Sequence, residues 1–292
     1  LMEIKELNLK NKVALITGGA GGIGKSIVEN FSHYGASVVV ADKSSERCEE
    51  LQQILKKCSK NYLVECIDVT QKNEVKNLIK LIETQFNRLD IVVNNVGDFL
   101  ELIKPFEELD DSEIEDLYSV NLKSMFMVTS EALPLIKKNN VANSSIINIS
   151  SIEAFRGIPR ATVYSSFKHA ITGFTRSLAL ELAPSQIKVN AIAPETTETI
   201  QVQPKKAIAE KYHDHIERWN PYGRFGKPSD AAGSALFLAS DLSSWVTGAT
   251  INLDGGALAA AGWYRDPDNS WTIAPVISCL LYTSDAADEL SS

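Results

Sequence analysis

Residues 13–24 read VALITGGAGGIG, an apolar run that passes directly into a cluster of glycines. Two patterns overlap in it: G-x-G-x-x-G begins at Gly19, and T-G-x-x-x-G-x-G begins at Thr17. Glycines permit a tight turn, a close approach of the backbone to a phosphate, and tight packing of the next helix. A helix that begins there points its free N–H groups and the positive end of its dipole at the phosphate. The stretch therefore predicts a phosphate-binding turn that opens a β-α-β unit.

Short apolar runs alternate with longer segments of helical spacing along most of the chain. Such strands, continuously apolar and separated by helices, are typical of a parallel sheet covered on both faces. Right-handed crossovers make the sheet doubly wound. We therefore predict an α/β protein with a doubly wound parallel β-sheet (Rossmann fold) in three α/β/α layers. The predicted strands are 13–16, 37–41, 62–67, 90–93, 145–149, 188–192 and 250–253, and the predicted helices are 23–34, 46–57, 73–86, 112–138, 162–183 and 230–239.

The chain shows no internal linker, so we expect one domain over residues 1–278. The segment at about 195–225 has weak periodicity and many charges, and we interpret it as a lid over a site. Residues 279–292, which begin CLLYTSDAADE, resemble a translated sequencing adapter and are excluded from the fold prediction. A natural disordered tail is the alternative interpretation of that segment.

Composition and charge exclude several classes of function. The formal net charge of −8 disfavours nucleic-acid binding, which requires clustered Lys and Arg. No apolar run reaches the ~20 residues of a membrane helix, and residues 1–12 lack the apolar stretch of a secretory signal. We therefore expect a cytoplasmic protein with no metal site and no nucleic-acid or membrane partner. Its four cysteines have no metal-binding or disulfide spacing: Cys48, Cys58, Cys66 and Cys279.

Asp42 ends the second predicted strand, 18 residues after Gly24. A carboxylate at that place can accept hydrogen bonds from the ribose hydroxyls of an adenosine, and it repels a 2′-phosphate. The position therefore favours NAD over NADP. Capping of the following helix is the alternative role for Asp42, and the neighbouring Lys43 would soften the cofactor preference.

Tyr164 and Lys168 lie four residues apart at the start of a predicted helix, so they share one helix face. A phenol has a pKa of about 10, too high for an efficient base at neutral pH. A nearby ammonium stabilises the phenolate and lowers that pKa, which makes the phenol a useful general acid/base. Because the spacing is common by chance, an ordinary amphipathic helix is the alternative unless other motifs accompany it.

Other motifs do accompany it. In chain order the sequence contains Thr17-Gly18-x-x-x-Gly22-Ile23-Gly24, Asn94-Asn95-Val96-Gly97, Val120-Asn121, Ser150-Ser151 and Tyr164-x-x-x-Lys168. This set resembles the short-chain dehydrogenase/reductase family over roughly residues 10–256. The resemblance implies an enzyme that interconverts a secondary alcohol and a ketone by hydride transfer with NAD(H).

The resemblance also implies a role for each matching residue. Tyr164 would be the general acid/base, and Lys168 would lower its pKa and hold the nicotinamide ribose. Ser151, rather than Ser150, would hydrogen-bond the substrate oxygen. Asn121 would lie at a break in a long helix and hold a water of a proton relay. The implied cofactor-binding residues are Gly18, Gly22, Ile23, Gly24, Asp42, Asp68, Val69, Asn95, Gly97, Tyr164, Lys168, Pro194 and Thr199.

Glu195 departs from the family pattern, because it replaces the usual glycine after Pro194. It would either touch the substrate or face solvent, and we favour solvent.

Two other functions stay open. An NADPH-dependent 3-oxoacyl reductase is disfavoured by Asp42, and a non-catalytic NAD-binding sensor has no need of Asn121, Ser151, Tyr164 and Lys168 together. The partner implied is a small-molecule alcohol or ketone. The resemblance further implies a homodimer or homotetramer formed through the helices near 112–138 and 162–183.

Overall fold

The computed structural model of the protein describes residues 7–58, 61–139, 142–200, 202–203, 206, 210–215, 218, 220–265 and 270–272. Contacts between residues divide the chain into two units, residues 1–203 with 226–254 and residues 204–225 with 255–292. The predicted tail at 279–292 and part of the predicted lid lie outside the described residues. The limits of the predicted domain stay a prediction.

The first unit contains a seven-stranded parallel sheet with strand order β3-β2-β1-β4-β5-β6-β7. In the centre, β1 pairs with both β2 and β4, and Leu15 lies in register with Val39 and Val92. The strand order therefore reverses between β1 and β4, which is where doubly wound sheets open a crevice at their carboxyl edge. The strands are β1 (Val13–Thr17), β2 (Ser37–Asp42), β3 (Tyr62–Cys66), β4 (Ile91–Asn94), β5 (Ser144–Ile149), β6 (Ile187–Pro194) and β7 (Thr250–Leu253).

Helices cover both faces of the sheet, which confirms the predicted three layers. Ile16 and Val40 share a core with α1, α2 and α7 on one face, whereas Leu15 and Val39 share a core with α3, α5 and α6 on the other. Adjacent strand residues thus point to opposite faces, and both faces are apolar. The helices are α1 (Gly22–His33), α2 (Ser45–Cys58), α3 (Lys72–Phe86), α4 (Asp111–Tyr118), α5 (Ser124–Asn139), α6 (Thr162–Leu182) and α7 (Pro228–Ala239).

The long helix predicted over 112–138 is interrupted by a π-helical turn at Ser119–Lys123. The Ser124 N–H bonds to the Ser119 carbonyl, one residue further back than in an α-helix. Such a bulge admits an extra residue into the helix, and Asn121 lies in it. The break predicted at Asn121 is therefore confirmed as a feature of the backbone.

A buried network of hydrogen-bonded side chains lies between the sheet and two of its helices. Asn94 Nδ2 donates to Thr129 Oγ1 at 3.0 Å and to Asn148 Oδ1 at 2.9 Å. Asn148 Nδ2 in turn donates to Thr175 Oγ1 at 2.9 Å. A buried amide is costly unless such bonds are made, so this buried network fixes β4 and β5 relative to α5 and α6.

The second unit holds short elements. Those formed by its described residues include a 3₁₀ helix at Glu210–His215, α8 (Ala257–Ala260) and an antiparallel pair of strands, β8 (Tyr264–Arg265) and β9 (Trp271–Thr272). Within the described ranges of both units, no helix is long and apolar enough to cross a membrane. The same ranges contain no cluster of three or more His, Cys, Asp or Glu side chains that could hold a metal ion.

The buried network should contribute to the stability of the fold. Asn148→Ala leaves a donor on Asn94 and the hydroxyl of Thr175 without their partner, so the free energy of unfolding should fall by about 2 kcal/mol. Urea denaturation measures the change. Asn73→Ala, at an exposed position of α3, is the matched control and should stay within about 0.5 kcal/mol of the parent protein. Equal free energies of unfolding for the two variants would show that the buried network does not stabilise the packing of β4 and β5 against the helices.

Candidate active site

The glycine turn between β1 and α1 has a conformation that requires glycine. Gly18 has φ +60° and Gly22 has φ +51°, left-handed values that glycine adopts without steric cost. A methyl group on Gly24 would collide with the Gly18 carbonyl oxygen and lie 2.7 Å from Asn95 Nδ2. The turn thus presents bare backbone at the start of α1, as phosphate binding requires.

Asn95 holds this turn against the end of β4. Its backbone N–H donates to Thr17 Oγ1 at 3.0 Å, and its side-chain Nδ2 donates to the carbonyls of Thr17 and Gly18, each at 3.1 Å. Ile23, in the first turn of α1, packs against the hydrophobic core. The structure therefore brings Asn95, a predicted cofactor-binding residue, together with the glycine turn.

Asp42 directs its carboxylate at the same turn. Oδ2 accepts a hydrogen bond from the Ala20 N–H at 3.1 Å, and Oδ1 accepts from the Ser44 N–H at 3.1 Å and from Arg47 Nη2 at 3.2 Å. The Ser44 hydroxyl accepts from the Arg47 N–H, so the cap of α2 is Ser44 and not Asp42. A methyl group on Gly21 would lie 3.5 Å from Arg47 Nη1, which places the guanidinium beside the glycine turn.

Two other predicted segments follow strands of the same sheet. After β3, the Asp68 carboxylate accepts a hydrogen bond from the Thr70 N–H at 2.9 Å, and Val69 is buried in the core. After β6, which ends at Pro194, the chain brings Thr199 to the glycine turn: a methyl group on Gly22 would lie 3.3 Å from Thr199 Cγ2. Thr199 thus joins the site, whereas the Asp68 carboxylate is engaged locally.

Tyr164, Ser151 and Lys168 meet at the carboxyl end of β5. The Tyr164 hydroxyl is hydrogen-bonded to the Ser151 side chain, and Lys168 Nζ lies 5.3 Å from the centroid of the Tyr164 ring. Lys168 is 3% exposed, and its ammonium donates to the Ile149 carbonyl at 3.2 Å. Ser150 donates its hydroxyl to the Lys168 carbonyl at 3.0 Å, so Ser151 is the serine that contacts the phenol.

Burial dominates the ionisation of both groups. It raises the pKa of the Tyr164 phenol well above its usual value; the Ser151 hydrogen bond opposes this increase, and the Glu153 and Asp98 carboxylates add to it. Burial also lowers the pKa of the Lys168 ammonium to about 8. The lowering of the phenol pKa that the Tyr164/Lys168 spacing predicts is not found, because burial produces a net increase. The phenol of this structure is therefore protonated at neutral pH.

Asn121 is 1% exposed and uses its side chain to hold the loop that follows β4. Its Oδ1 accepts from the Asp98 N–H at 3.0 Å, and its Nδ2 donates to the carbonyls of Asp98 at 2.7 Å and Leu117 at 3.0 Å. A methyl group on Gly97 would lie 2.9 Å from Lys168 Nζ and 3.1 Å from Asn121 Oδ1. Gly97 thus lets this loop approach the lysine closely.

The same loop places an aromatic ring on the phenol. Phe99 stacks on Tyr164 with ring centroids 3.9 Å apart and an interplanar angle of 25°. The next two residues, Leu100 and Glu101, have φ values of +53° and +58°, and the Leu102 N–H closes the turn on the Phe99 carbonyl at 3.0 Å. Left-handed residues other than glycine store strain, which often accompanies functional loops.

Comparison with known proteins agrees with this geometry. A family model described as Enoyl-(Acyl carrier protein) reductase matches residues 18–257, a range that includes the glycine turn, Ser151, Tyr164 and Lys168. The chain belongs to the short-chain dehydrogenase/reductase family. It is an oxidoreductase that interconverts an alcohol and a ketone.

Relatives within the short-chain dehydrogenase/reductase family have different stated activities. The 3-oxoacyl-(acyl-carrier-protein) reductase FabG of Thermotoga maritima is 35% identical over 250 residues, covering 86% of this chain and 99% of that protein. An NAD-dependent glycerol dehydrogenase of Listeria innocua is 33% identical over 254 residues, covering 86% and 96%. The structure of 7α-hydroxysteroid dehydrogenase, complexed with NADH and 7-oxo glycochenodeoxycholic acid, matches with a TM-score of 0.80 at 30% identity, covering 88% of this chain and 98% of that one.

Glu195, which stands where the family pattern has glycine, pairs with an arginine. Arg156 Nη2 lies 2.8 Å from Glu195 Oε2 and 2.9 Å from Glu153 Oε1. Glu195 Oε1 accepts the Thr196 N–H at 2.7 Å and the Thr196 hydroxyl at 2.9 Å. The expectation that Glu195 faces solvent is therefore wrong: its side chain is 14% exposed, and it ties the loop after β6 to the loop after β5.

Three further residues of this site are not indicated by the sequence motifs. Arg47 follows Asp42 by five residues in the first turn of α2, and that spacing was a usable sign of an ion pair. Phe99 lies in a loop whose course depends on the Asn121 side chain. Arg156 meets Glu195 only because β5 and β6 are neighbours in the sheet.

The stacked ring yields a prediction about the phenol. Phe99→Ala admits water to Tyr164, and because burial is the main cause of its raised pKa, that pKa should fall. Ultraviolet absorbance follows the ionisation of tyrosines as the pH is raised. The difference between Phe99→Ala and Phe99→Ala/Tyr164→Phe, which lacks the phenol, gives the titration of Tyr164 alone. Phe155→Ala removes an exposed aromatic ring and should leave the Tyr164 titration unchanged. An unchanged titration in Phe99→Ala would mean that the stack does not bury the phenol.

Proposed function

We propose that the protein is an NAD-dependent dehydrogenase of secondary alcohols that also runs in the direction of ketone reduction. The observation that carries the proposal is the meeting of Tyr164, Ser151 and Lys168 at the sheet edge that also bears the glycine turn and Asp42. The Listeria relative is named as NAD-dependent, and the solved relative is complexed with NADH. Both names support the cofactor assignment.

The residues of the crevice fit a dinucleotide. The bare backbone of the glycine turn and the first turn of α1 suit a pyrophosphate, and Asp42 suits the hydroxyls of the adenosine ribose. Bound NAD supplies the hydride acceptor at its nicotinamide ring. The proposed cofactor-binding residues are Gly18, Gly22, Ile23, Gly24, Asp42, Asp68, Val69, Asn95, Gly97, Tyr164, Lys168, Pro194 and Thr199.

Tyr164 and Ser151 would handle the substrate oxygen between them. In oxidation the Tyr164 phenolate accepts the hydroxyl proton, and the Ser151 hydroxyl donates a hydrogen bond to the same oxygen. In reduction the Tyr164 phenol gives its proton to the carbonyl oxygen, where negative charge develops. Because the phenol is protonated at neutral pH in this structure, the reductive direction has its proton in place.

Lys168 and Asn121 would support that proton transfer. An ammonium has three protons, and within the described residues Lys168 commits one of them, to the Ile149 carbonyl. The others are available to ribose hydroxyls. Asn121 holds the loop of Gly97 and Asp98 so close to Lys168 that a methyl group on Gly97 would lie 2.9 Å from Lys168 Nζ. Its contribution is thus to position the lysine and the loop.

Replacement of the proposed acid/base tests the mechanism. Tyr164→Phe should lower kcat by at least about 100-fold, because the proton transfer is lost, and should leave the Kd for NADH within about twofold, which is well below a 1 kcal/mol effect. NADH absorbance with a panel of secondary alcohols gives kcat, and NADH fluorescence gives Kd.

Two serines provide the matched comparison for this test. Ser151→Ala should lower kcat strongly, and Ser150→Ala should lower it less, because Ser150 bonds the Lys168 carbonyl and not the phenol. Turnover retained by Tyr164→Phe would defeat the mechanism. NADH binding without turnover in the parent protein would favour the non-catalytic sensor.

A second candidate function is an NADPH-dependent 3-oxoacyl reductase, the activity in the name of the Thermotoga relative. One observation favours it: Arg47 stands beside Gly21 and could pair with a 2′-phosphate. Asp42 opposes it, because its carboxylate would lie close to that phosphate. Since Arg47 is held by Asp42 at 3.2 Å, we place NAD first.

Removal of the carboxylate separates the two cofactors. Asp42→Ala should raise kcat/KM for NADP relative to NAD by about tenfold or more, because it removes a charge repulsion and releases Arg47. Asp42→Ala/Arg47→Ala is the control and should lose part of that gain. Steady-state kinetics with both cofactors measure the ratio. A parent protein that already prefers NADP would overturn the NAD assignment.

We also propose a cytoplasmic location. Cys48 and Cys66 are free thiols, which suits the reducing cytoplasm. We further propose a homodimer or homotetramer, as the family resemblance implies, and a small-molecule alcohol or ketone as substrate.

A further inference from the structure

Two free thiols lie together at the end of β2, beside the residue proposed to bind the adenosine ribose. Cys48 is in the first turn of α2 and is 6% exposed, whereas Cys66 ends β3 and is exposed. Asp42 lies opposite Cys66 in the register of β2 and β3, and Cys66 is close enough to Cys48 to add to the raised pKa of its thiol. The β-α-β crossover thus brings together two cysteines that are distant in sequence.

Both thiols also touch the backbone that links β2 to α2. Cys48 Sγ donates to the Asp42 carbonyl at 3.6 Å, and Cys66 Sγ donates to the Lys43 carbonyl at 3.8 Å. The Asp42 carbonyl also accepts the Ile67 N–H at 3.0 Å. The thiol pair is therefore in direct contact with the turn that orients the Asp42 carboxylate.

We propose that Cys48 and Cys66 are an oxidisable dithiol, and that the disulfide between them weakens dinucleotide binding at Asp42. The effect on binding rests on the proposed function, whereas the oxidation site does not.

The oxidant would be a small disulfide such as oxidised glutathione. The Cys66 thiolate attacks one sulfur of the reagent, the reagent's S–S bond breaks, and one half leaves as a thiolate. The Cys48 thiolate then attacks the Cys66 sulfur, the new bond forms, and the second half leaves. Two protein thiols are oxidised and one disulfide is reduced to two thiols, which take up the two protons released.

The order of these steps follows from exposure and charge. Cys66 is exposed, so the reagent can reach it. Burial raises the pKa of the Cys48 thiol to about 12; Asp42 and Cys66 add to the increase, and Arg47 opposes it. A thiol with so little thiolate is a poor first nucleophile, so Cys48 acts second, on a sulfur already beside it.

A disulfide here would disturb the nucleotide end of the crevice. The sulfurs must approach to about 2.05 Å, so both S–H donors are lost and the Lys43 carbonyl loses its thiol partner. Cys48 is drawn toward β3, and the adjacent Arg47 moves with it. Because Arg47 pairs with Asp42 and lies beside Gly21, the shift alters the groups proposed to hold the ribose and phosphates.

The test uses the full chain with Cys58→Ser and Cys279→Ser, which leaves only this pair. The protein is treated with oxidised glutathione at about pH 8.5. Intact mass and peptide mapping identify the cross-link, and NADH fluorescence gives Kd before and after treatment. We expect a Cys48–Cys66 disulfide and a Kd for NADH raised by about fivefold or more, with both reversed by dithiothreitol.

Two single variants serve as controls. Cys48→Ser and Cys66→Ser each keep a hydrogen-bond donor, so both should bind NADH when reduced and lose the response to oxidation. A mixed disulfide on Cys66 without the cross-link, or a cross-link that leaves the Kd unchanged, would overturn the proposal. A reduced protein that binds no NADH would refute the proposed function, and the presence or absence of the cross-linked peptide would still decide the dithiol.

Discussion

The parallel pairing of β1 with both β2 and β4 is the constraint on which the site depends. Parallel strands end at the same edge of the sheet, so every loop after a strand leaves from that edge. The glycine turn, the Asp42 turn, the loop of Gly97 and Phe99, and the loops after β5 and β6 are neighbours for this reason. A change in strand order would scatter these groups even if every motif were kept.

Close packing at that edge determines the chemistry of the phenol. Asn121 fixes the loop after β4, Gly97 lets that loop approach Lys168, and Phe99 covers the ring of Tyr164. The result is a buried acid whose raised pKa keeps its proton at neutral pH. The balance between burial, which favours the protonated phenol, and the nearby ammonium, which favours the phenolate, sets how readily the proton leaves.

The sequence predicted the fold because its strands are continuously apolar and alternate with helices, a pattern typical of a parallel sheet covered on both faces. Its motifs, through the family resemblance, also named Tyr164, Lys168 and Ser151, and the structure brings these three side chains together at the end of β5. It did not predict the stack of Phe99 on Tyr164 or the ion pair of Arg156 with Glu195. Both depend on loop backbones set by tertiary contacts, such as the left-handed turn after Phe99, and no local pattern encodes them.

The proposed function requires that the crevice at the β1/β4 edge presents a dinucleotide to Tyr164. A crystal structure with NADH bound would locate the cofactor. We expect the phosphates on the glycine turn, the adenosine ribose at Asp42, and the nicotinamide ring beside Tyr164 and Lys168. NADH bound away from this crevice, or bound with its nicotinamide ring turned away from Tyr164, would contradict it.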